Sequence, residues 1–98
     1  MPEELDIIAR FHARPGCENE VEAALRAVSA PTRAEAGCIG YQAVRGTRDP
    51  SLFFIHSRWS DEAAFEHHAT LPHTMKFLAT VAPLIDHPLD VARTREIT

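Results

Sequence analysis

The sequence predicts an α+β fold of the ferredoxin-like, split βαβ type, with the element order βαββαβ and an antiparallel sheet. Two observations support this prediction. Near the N-terminus, apolar residues first alternate with polar ones and then repeat at helical spacing. The chain continues with two strands, two short helices that together form the second α element, and a last strand. Residues 1–98 are expected to form one domain.

The first strand and helix are predicted from these two periodicities. Every second residue from Leu5 to Ala13 is apolar, and Pro15-Gly16 is expected to end the strand. A helix is predicted over about Glu18–Ala36, in which Pro31 should bend or split the helix and Gly37 should end it. The apolar positions that predict the helix are Val21, Ala24, Leu25 and Val28.

Two strands joined by a turn form the middle of the chain. They are predicted over Cys38–Arg45 and Ser51–Trp59, with the turn at residues 46–50. The run Leu52-Phe53-Phe54-Ile55 is apolar on both faces, whereas helices in this topology cover only one face of the sheet. We therefore expect the other face to be buried against a second copy, in a sheet-to-sheet homodimer.

Two short helices and a strand complete the predicted fold. Ser60 is expected to cap a helix that ends near Ala69, and Pro72 suits the first turn of the next helix. The last strand is predicted from about Leu89 to Ile97.

Composition excludes several classes of partner. The formal net charge is −4 and no run of Lys or Arg is present, so nucleic acid is not an expected partner. The sequence begins Met-Pro-Glu-Glu and contains no long apolar run, so neither a signal peptide nor a membrane span is expected, and the cytoplasm is the predicted location. Cys17 and Cys38 do not form a CxxC pair and are expected to be reduced thiols.

The segment from Trp59 to Phe77 contains most of the chemistry that the sequence offers. A strand rich in Phe and Ile ends at Trp59, a helix begins at once, and His68 and His73 lie around the junction with the next helix. An aromatic ring, titratable imidazoles and apolar side chains are thus expected at one corner of the fold. Such a corner suits a flat, apolar, weakly acidic small molecule.

Several short motifs occur in order along the chain. They are Arg14-Pro-Gly16, the segment Glu35-Ala-Gly-Cys-Ile-Gly-Tyr41, Trp59, His68 and Pro72-His73. In this order and spacing the chain resembles the antibiotic biosynthesis monooxygenase family, over about residues 6–92. The resemblance implies a dimeric α+β barrel: a homodimer of ferredoxin-like subunits, each with a pocket between its sheet and helices. It also implies, for several members, oxidation of polyphenols, quinols or anthrone-like rings by dioxygen without flavin, haem or metal.

The resemblance makes two histidines candidate catalytic residues. His68 matches the family histidine at the end of the helix, and a neutral imidazole is suited to removing a phenol proton so that the resulting anion can pass an electron to dioxygen. His73 could orient the substrate or share a proton with His68. Each also has a structural interpretation, as a helical histidine bonded to backbone or water for His68 and as a helix cap for His73.

Five further residues are candidates for contact with the substrate. Trp59 could stack on a planar ring and donate its indole N–H, or it could belong to the core. Tyr41 could bond a substrate carbonyl, help to transfer a proton, or simply be half-buried in a strand. Phe54 and Phe65 are expected in the core or pocket wall. Ser57 stands where many family members carry a glutamate, so this chain lacks that carboxylate or takes one from elsewhere.

Other chemistries are not indicated. His68 and His73 are five residues apart rather than four, and neither an HExxH motif nor a glycine-rich loop is present, so no metal or nucleotide cofactor is expected. Asn19, the only asparagine, falls in the first helix, whereas the haem-degrading branch of the family uses an asparagine in the first strand. Haem cleavage is therefore disfavoured.

The function predicted from the sequence is a cofactor-independent monooxygenase that oxidises a small aromatic, polyphenol or quinol substrate with dioxygen. Two alternatives stay open. One is a non-catalytic small-molecule-binding or stress-response protein of the same fold, which the Ser57 departure favours. The other is an isomerase or lyase acting on a small oxygenated metabolite, which an oxygen-independent product would distinguish from an oxygenase.

Overall fold

A computed structural model describes residues 3–98 and shows a four-stranded antiparallel sheet. The strands are β1 (Leu5–His12), β2 (Cys38–Arg45), β3 (Leu52–Trp59) and β4 (Asp90–Thr94). They lie in the order β2-β3-β1-β4, so β1 and β3 are central and every neighbouring pair is antiparallel. This arrangement confirms the predicted ferredoxin-like α+β fold. The last strand is shorter than the predicted Leu89–Ile97.

Three helices pack on one face of this sheet. They are α1 (Glu18–Arg33), α2 (Glu62–His68) and α3 (Pro72–Val81), and a single 3₁₀ turn follows α3 at Ala82–Leu84. Phe11 and Phe53 on the sheet stack with ring centroids 5.7 Å apart, beneath the buried faces of α1 and α3. The buried apolar residues of these two helices are Val21, Leu25, Val28, Phe77 and Val81.

Two predicted helix boundaries are wrong for local physical reasons. Pro31 does not split α1, because it lies in the last turn of the helix, where the missing N–H costs at most one backbone hydrogen bond. The helix ends at Arg33, before Gly37 is reached. Asp61 rather than Ser60 caps α2, because its carboxylate accepts a hydrogen bond of 2.8 Å from the Ala64 N–H.

Gly37 has a packing role instead of ending the helix. A Cβ at this position would collide with the Cβ of Ala64 on α2. The Gly37 carbonyl accepts a hydrogen bond of 2.9 Å from the Ser60 N–H. The turn between α1 and β2 is therefore held directly against the start of α2, and this contact brings residues of that turn close to α2.

The opposite face of the sheet carries no helix among the described residues. Ile8 and Val44 on this face are 43% and 47% exposed, and Phe54 beside Val44 is half-buried. Asp6 is buried on the same face, where the guanidinium of Arg58 bonds its carboxylate at 3.0 Å. The hydrogen bond from Arg58 holds the pKa of Asp6 below its ordinary value.

Candidate functional site

A small cavity of about 150 Å³ lies between the sheet and helices α2 and α3. Its wall is mainly apolar, and a few polar side chains reach it. Leu78 and Val91, on α3 and β4, are 43% and 48% exposed and mark its mouth. The residues that line it are Ile7, Ala9, Val28, Tyr41, Ile55, Ser57, Phe65, His68, Ala69, Thr74, Phe77, Leu78, Leu89 and Val91.

Four of the residues predicted for the site lie in this wall. Tyr41 and Ser57 point from β2 and β3 on the helix-covered face of the sheet, and Phe65 and His68 come from α2. Apart from Phe65, which is partly buried, these side chains are almost completely buried. The sheet and α2 therefore bring a phenol, a hydroxyl, a phenyl ring and an imidazole to one cavity.

Three predicted residues do not line the cavity. Phe54 projects from the opposite face of the sheet, because side chains alternate along β3 and Ser57 points toward the helices. Trp59 is completely buried and packs behind His68, with ring centroids 4.7 Å apart. His73 lies near the cavity but outside its wall, with its side chain 25% exposed.

The carboxylate of Glu35 joins the two candidate catalytic histidines. Its Oε2 lies 2.7 Å from His68 Nδ1 and 2.7 Å from His73 Nε2. An ionised carboxylate can only accept hydrogen bonds, so both ring nitrogens carry protons and donate them to this oxygen. The two histidines therefore donate hydrogen bonds to the same carboxylate, and their ring centroids lie 6.1 Å apart. His73 does not cap α3, whose N-cap residue is Leu71.

This contact fixes the proton on His68. With Nδ1 donating to Glu35, a neutral imidazole has its lone pair on Nε2. Nε2 has no hydrogen-bond partner among residues 3–98, whereas Nδ1 also lies 3.2 Å from the hydroxyl of Thr74. His68 thus carries an unengaged proton acceptor in the wall of an apolar cavity, held by a carboxylate in the way that orients catalytic histidines generally.

Trp59 and Ser57 support the back of the site. The indole N–H of Trp59 donates a hydrogen bond of 2.9 Å to the Ser57 hydroxyl, so this buried donor is satisfied. The indole ring contacts both His68 and Phe65, with centroids 4.7 and 5.9 Å away. Ser57 therefore serves as the hydrogen-bond partner of the tryptophan, and the carboxylate that contacts His68 is that of Glu35.

Tyr41 keeps its phenol proton at ordinary pH and can donate it in a hydrogen bond. Burial raises the pKa of Tyr41 to about 12, since a phenolate would lose its hydration in the cavity wall. The phenol is therefore neutral over the range in which a histidine titrates. A hydrogen bond from this phenol to a substrate oxygen is compatible with the environment, whereas a phenolate at neutral pH is not. The side chain is buried rather than half-buried in its strand.

Glu35 is the member of the site that sequence reasoning missed. It lies inside the segment Glu35-Ala-Gly-Cys-Ile-Gly-Tyr41, which marks the family resemblance, but in sequence it is far from both histidines. Its side chain is 9% exposed, which is unusual for a glutamate in a turn. The close packing of Gly37 on Ala64 is what carries this turn to α2, and no local sequence pattern indicates that contact.

A larger groove of about 370 Å³ lies elsewhere, between α1 and the strands β2 and β3. Its wall includes Arg26, Arg33 and Arg45, and Glu22 pairs with two of these arginines at 3.1 Å. The groove contains no histidine or other group suited to general-base catalysis near neutral pH. Of these two sites, the small cavity, which contains His68, is therefore the better candidate for chemistry.

Within the described residues, no helix is long and apolar enough to cross a membrane. The fold and the cavity together define a class: a small ferredoxin-like α+β domain with an apolar site for a small molecule between its sheet and helices.

Comparison with known proteins identifies the family within this class. Residues 6–80 match the family model described as "Antibiotic biosynthesis monooxygenase". Rv0793 of Mycobacterium tuberculosis is 33% identical over 85 residues, which cover 87% of this chain and 83% of that protein. The family match covers most of the chain, and the chain therefore belongs to the antibiotic biosynthesis monooxygenase family.

Solved structures agree with this assignment. PA3566 from Pseudomonas aeruginosa has a TM-score of 0.92 at 33% identity, with 100% of this chain and 98% of that chain covered. The structure of Rv0793 has a TM-score of 0.91 at 29% identity, with 98% and 97% covered. The fold is also that of a crystal structure titled "antibiotic biosynthesis monooxygenase", at a TM-score of 0.90 and 22% identity, with 96% and 99% covered.

Proposed function

We propose that this protein is a monooxygenase that oxidises a small phenol or quinol with dioxygen and requires no cofactor. The observation that carries the proposal is His68, whose Nε2 is left as a proton acceptor in an apolar cavity because Nδ1 is bonded to Glu35. Family membership supports the reaction class. The substrate and the use of oxygen are inferred from the chemistry of the cavity.

The size of the cavity favours a substrate with one aromatic ring. An apolar protein cavity of similar volume is known to accept benzene, and drug-sized ligands need several hundred cubic ångströms. The volume here is about 150 Å³. A monocyclic phenol or quinol therefore suits the cavity better than a polyphenol or anthrone with several fused rings.

Different residues of the cavity wall can carry out different steps of the reaction. His68 Nε2 removes the phenol proton, and Tyr41 donates a hydrogen bond to another oxygen of the ring. The electron-rich anion then passes an electron to dioxygen, and the two radicals combine at a ring carbon. One oxygen atom stays on the ring and the other leaves as water with the hydrogen atoms removed from the substrate. The apolar wall limits side reactions with water.

Oxygen uptake by purified protein in chelator-treated buffer tests this proposal. Single-ring quinols and phenols are the substrates, and His68→Ala is compared with His67→Ala, which changes an exposed neighbour outside the cavity. We expect uptake above autoxidation in the wild type and the His67 variant, and a loss of roughly 100-fold or more in the His68 variant, typical for a general base. Equal rates in both variants would overturn the assignment of His68.

The two alternatives predict different results in the same assay. A binding protein would bind the ring compounds without product, and His68→Ala would change affinity alone. An isomerase would form product at the same rate without dioxygen, since a base in an apolar cavity can also abstract a carbon-bound proton. The carboxylate at His68 supports proton transfer, because it orients the imidazole with Nε2 as the acceptor, as carboxylates do for catalytic histidines.

We propose further that the functional unit is a homodimer formed through the open face of the sheet. Ile8, Val44 and Phe54 leave apolar surface on that face, and helices cover the other face. A second copy is the simplest cover, because the same apolar residues would meet across a two-fold axis. The cytoplasmic location expected from the sequence stays a prediction.

A further inference from the structure

The turn after α1 and the junction of α2 and α3 place three potential metal ligands together. Glu35, His68 and His73 each offer one ligand atom, and these atoms all lie within 4.8 Å of one another. Two imidazoles and one carboxylate are a ligand set that transition metals such as Zn²⁺ favour over Mg²⁺ or Ca²⁺. No metal site was predicted from the sequence, because only the spacing of His68 and His73 along the chain was considered.

The second oxygen of Glu35 is a further indication of a ligand. Oε1 is buried and has no hydrogen-bond partner, and it is the sole buried side-chain oxygen or nitrogen in residues 3–98 of which this is true. The Glu35 side chain is 9% exposed. A buried carboxylate oxygen without a partner costs free energy, and a cation beside it would remove that cost.

The geometry requires only small movements to accept a metal ion. Two ligands on a tetrahedral Zn²⁺ lie about 3.3 Å apart, given metal–ligand bonds of about 2.0–2.1 Å. The ring nitrogens of His68 and His73 are each 2.7 Å from Glu35 Oε2, so each histidine needs to move away from the carboxylate by well under 1 Å. The two ring nitrogens lie within 4.8 Å of each other, so a single ion can reach both. The side chain of His73 is 25% exposed, which gives an ion access from solvent.

We propose that Glu35, His68 and His73 bind Zn²⁺ or a similar divalent transition-metal ion, and that binding transfers the His68 proton from Nδ1 to Nε2. A metal ion bonded to Nδ1 uses the lone pair of that nitrogen, so the proton of the neutral imidazole must reside on Nε2. Nε2 then donates hydrogen bonds and no longer accepts protons. This inference rests on the proposed function, in which His68 is the general base. Because the bound ion leaves Nε2 protonated, the ion acts as a reversible inhibitor of that base.

Calorimetric titration with Zn²⁺ tests the site without reference to activity. The wild type is compared with Glu35→Gln and His73→Gln, and His67→Ala serves as the matched control. His87→Ala is the common background of these three variants and of the reference protein that stands for the wild type, because His12, Asp86 and His87 form a second, more exposed group of possible ligands. We expect Glu35→Gln and His73→Gln to bind Zn²⁺ at least 10-fold more weakly and His67→Ala to bind it unchanged. Equal affinity in all four proteins would overturn the site.

Nitrogen NMR of isotopically labelled histidine tests the proton transfer. We expect His68 to carry its proton on Nδ1 in metal-free protein and on Nε2 after one equivalent of Zn²⁺, with Mg²⁺ causing no change. A His68 proton that stays on Nδ1 with Zn²⁺ bound would overturn the inference. This result is independent of turnover, so a failure of the oxygenase proposal, seen as absent oxygen uptake, is distinguishable from a failure of the metal site.

Discussion

Neighbouring groups define the hydrogen bonding of the polar side chains in the cavity wall. Glu35 holds the proton of His68 on Nδ1, and burial keeps Tyr41 protonated. The Ser57 hydroxyl accepts the indole N–H of Trp59. The cavity wall thus combines an imidazole with a free Nε2 and a protonated phenol, the two groups that the proposed deprotonation uses.

The ionisation of Tyr41 tests this account at the residue scale. It is the only tyrosine, so its titration can be followed directly by the ultraviolet absorbance of tyrosinate. We expect a midpoint near 12 in folded protein rather than the ordinary 10.0. Because the folded pKa is raised, the stabilisation it gives is complete below the unfolded pKa and is lost as pH rises toward 12. A midpoint near the ordinary value would show that Tyr41 is solvated.

The elements of the fold explain how distant residues reach one site. The turn between α1 and β2 carries Glu35, and its Gly37 packs on Ala64 so closely that no side chain fits between them. Ala64 belongs to α2, which Asp61 caps, and the next helix, α3, begins at Pro72. The orientation of His68 therefore depends on a backbone contact between α2 and a turn well outside the histidine segment.

Gly37→Ala tests this dependence at the element scale. We expect the free energy of unfolding to fall by about 1–3 kcal/mol, the usual cost of overpacking, and the His68–Glu35 contact to be disturbed. The double variant Gly37→Ala/Ala64→Gly restores the space, at a cost of about 1 kcal/mol for a helical glycine. Urea denaturation of the four proteins gives the coupling free energy. Strict additivity of the two single changes would contradict a direct contact.

Sequence reasoning succeeded where the signal was local. Alternation and helical spacing were sufficient for β1, α1 and the order of elements, and the proline at the start of α3 was recognised. The prediction that Phe54 contacts the substrate was wrong. Side chains alternate along β3, so Phe54 and Ser57 point to opposite faces of the sheet, but the run of apolar residues in this strand concealed the alternation. Local sequence patterns could not identify Glu35 as part of the site. Its partners His68 and His73 lie on α2 and α3, and only the packed fold brings them to the turn that carries Glu35.

At the scale of the whole molecule, the face of the sheet opposite the helices is the surface through which we propose that the dimer forms. It combines the apolar side chains Ile8, Val44 and Phe54 with the buried Asp6 and its partly exposed partner Arg58. The cavity lies on the other face of the same sheet, between the strands and the helices. The proposed dimer would therefore cover the open face and leave the cavity mouth beside α3 and β4 accessible.

Val44→Glu tests the dimer. Val44 is 47% exposed in the single chain, so the charge should not disturb the folded subunit, but a charge buried between two sheets without a partner is costly. We expect sedimentation equilibrium to give a dimer for the wild type and a mass near 10.9 kDa for the variant. Met75→Glu on α3, 59% exposed, is the control and should stay dimeric. A monomeric wild type would contradict the proposal.

The central claim is that His68 starts an oxygenation inside the cavity, and turnover under isotopically labelled dioxygen tests it most directly. Mass spectrometry of the product from a single-ring quinol or phenol, with label in the gas and none in the water, gives the answer. The account predicts one labelled oxygen atom in each product molecule, and no product in His68→Ala above background. Product that forms without dioxygen, or that takes its oxygen from water, would contradict it.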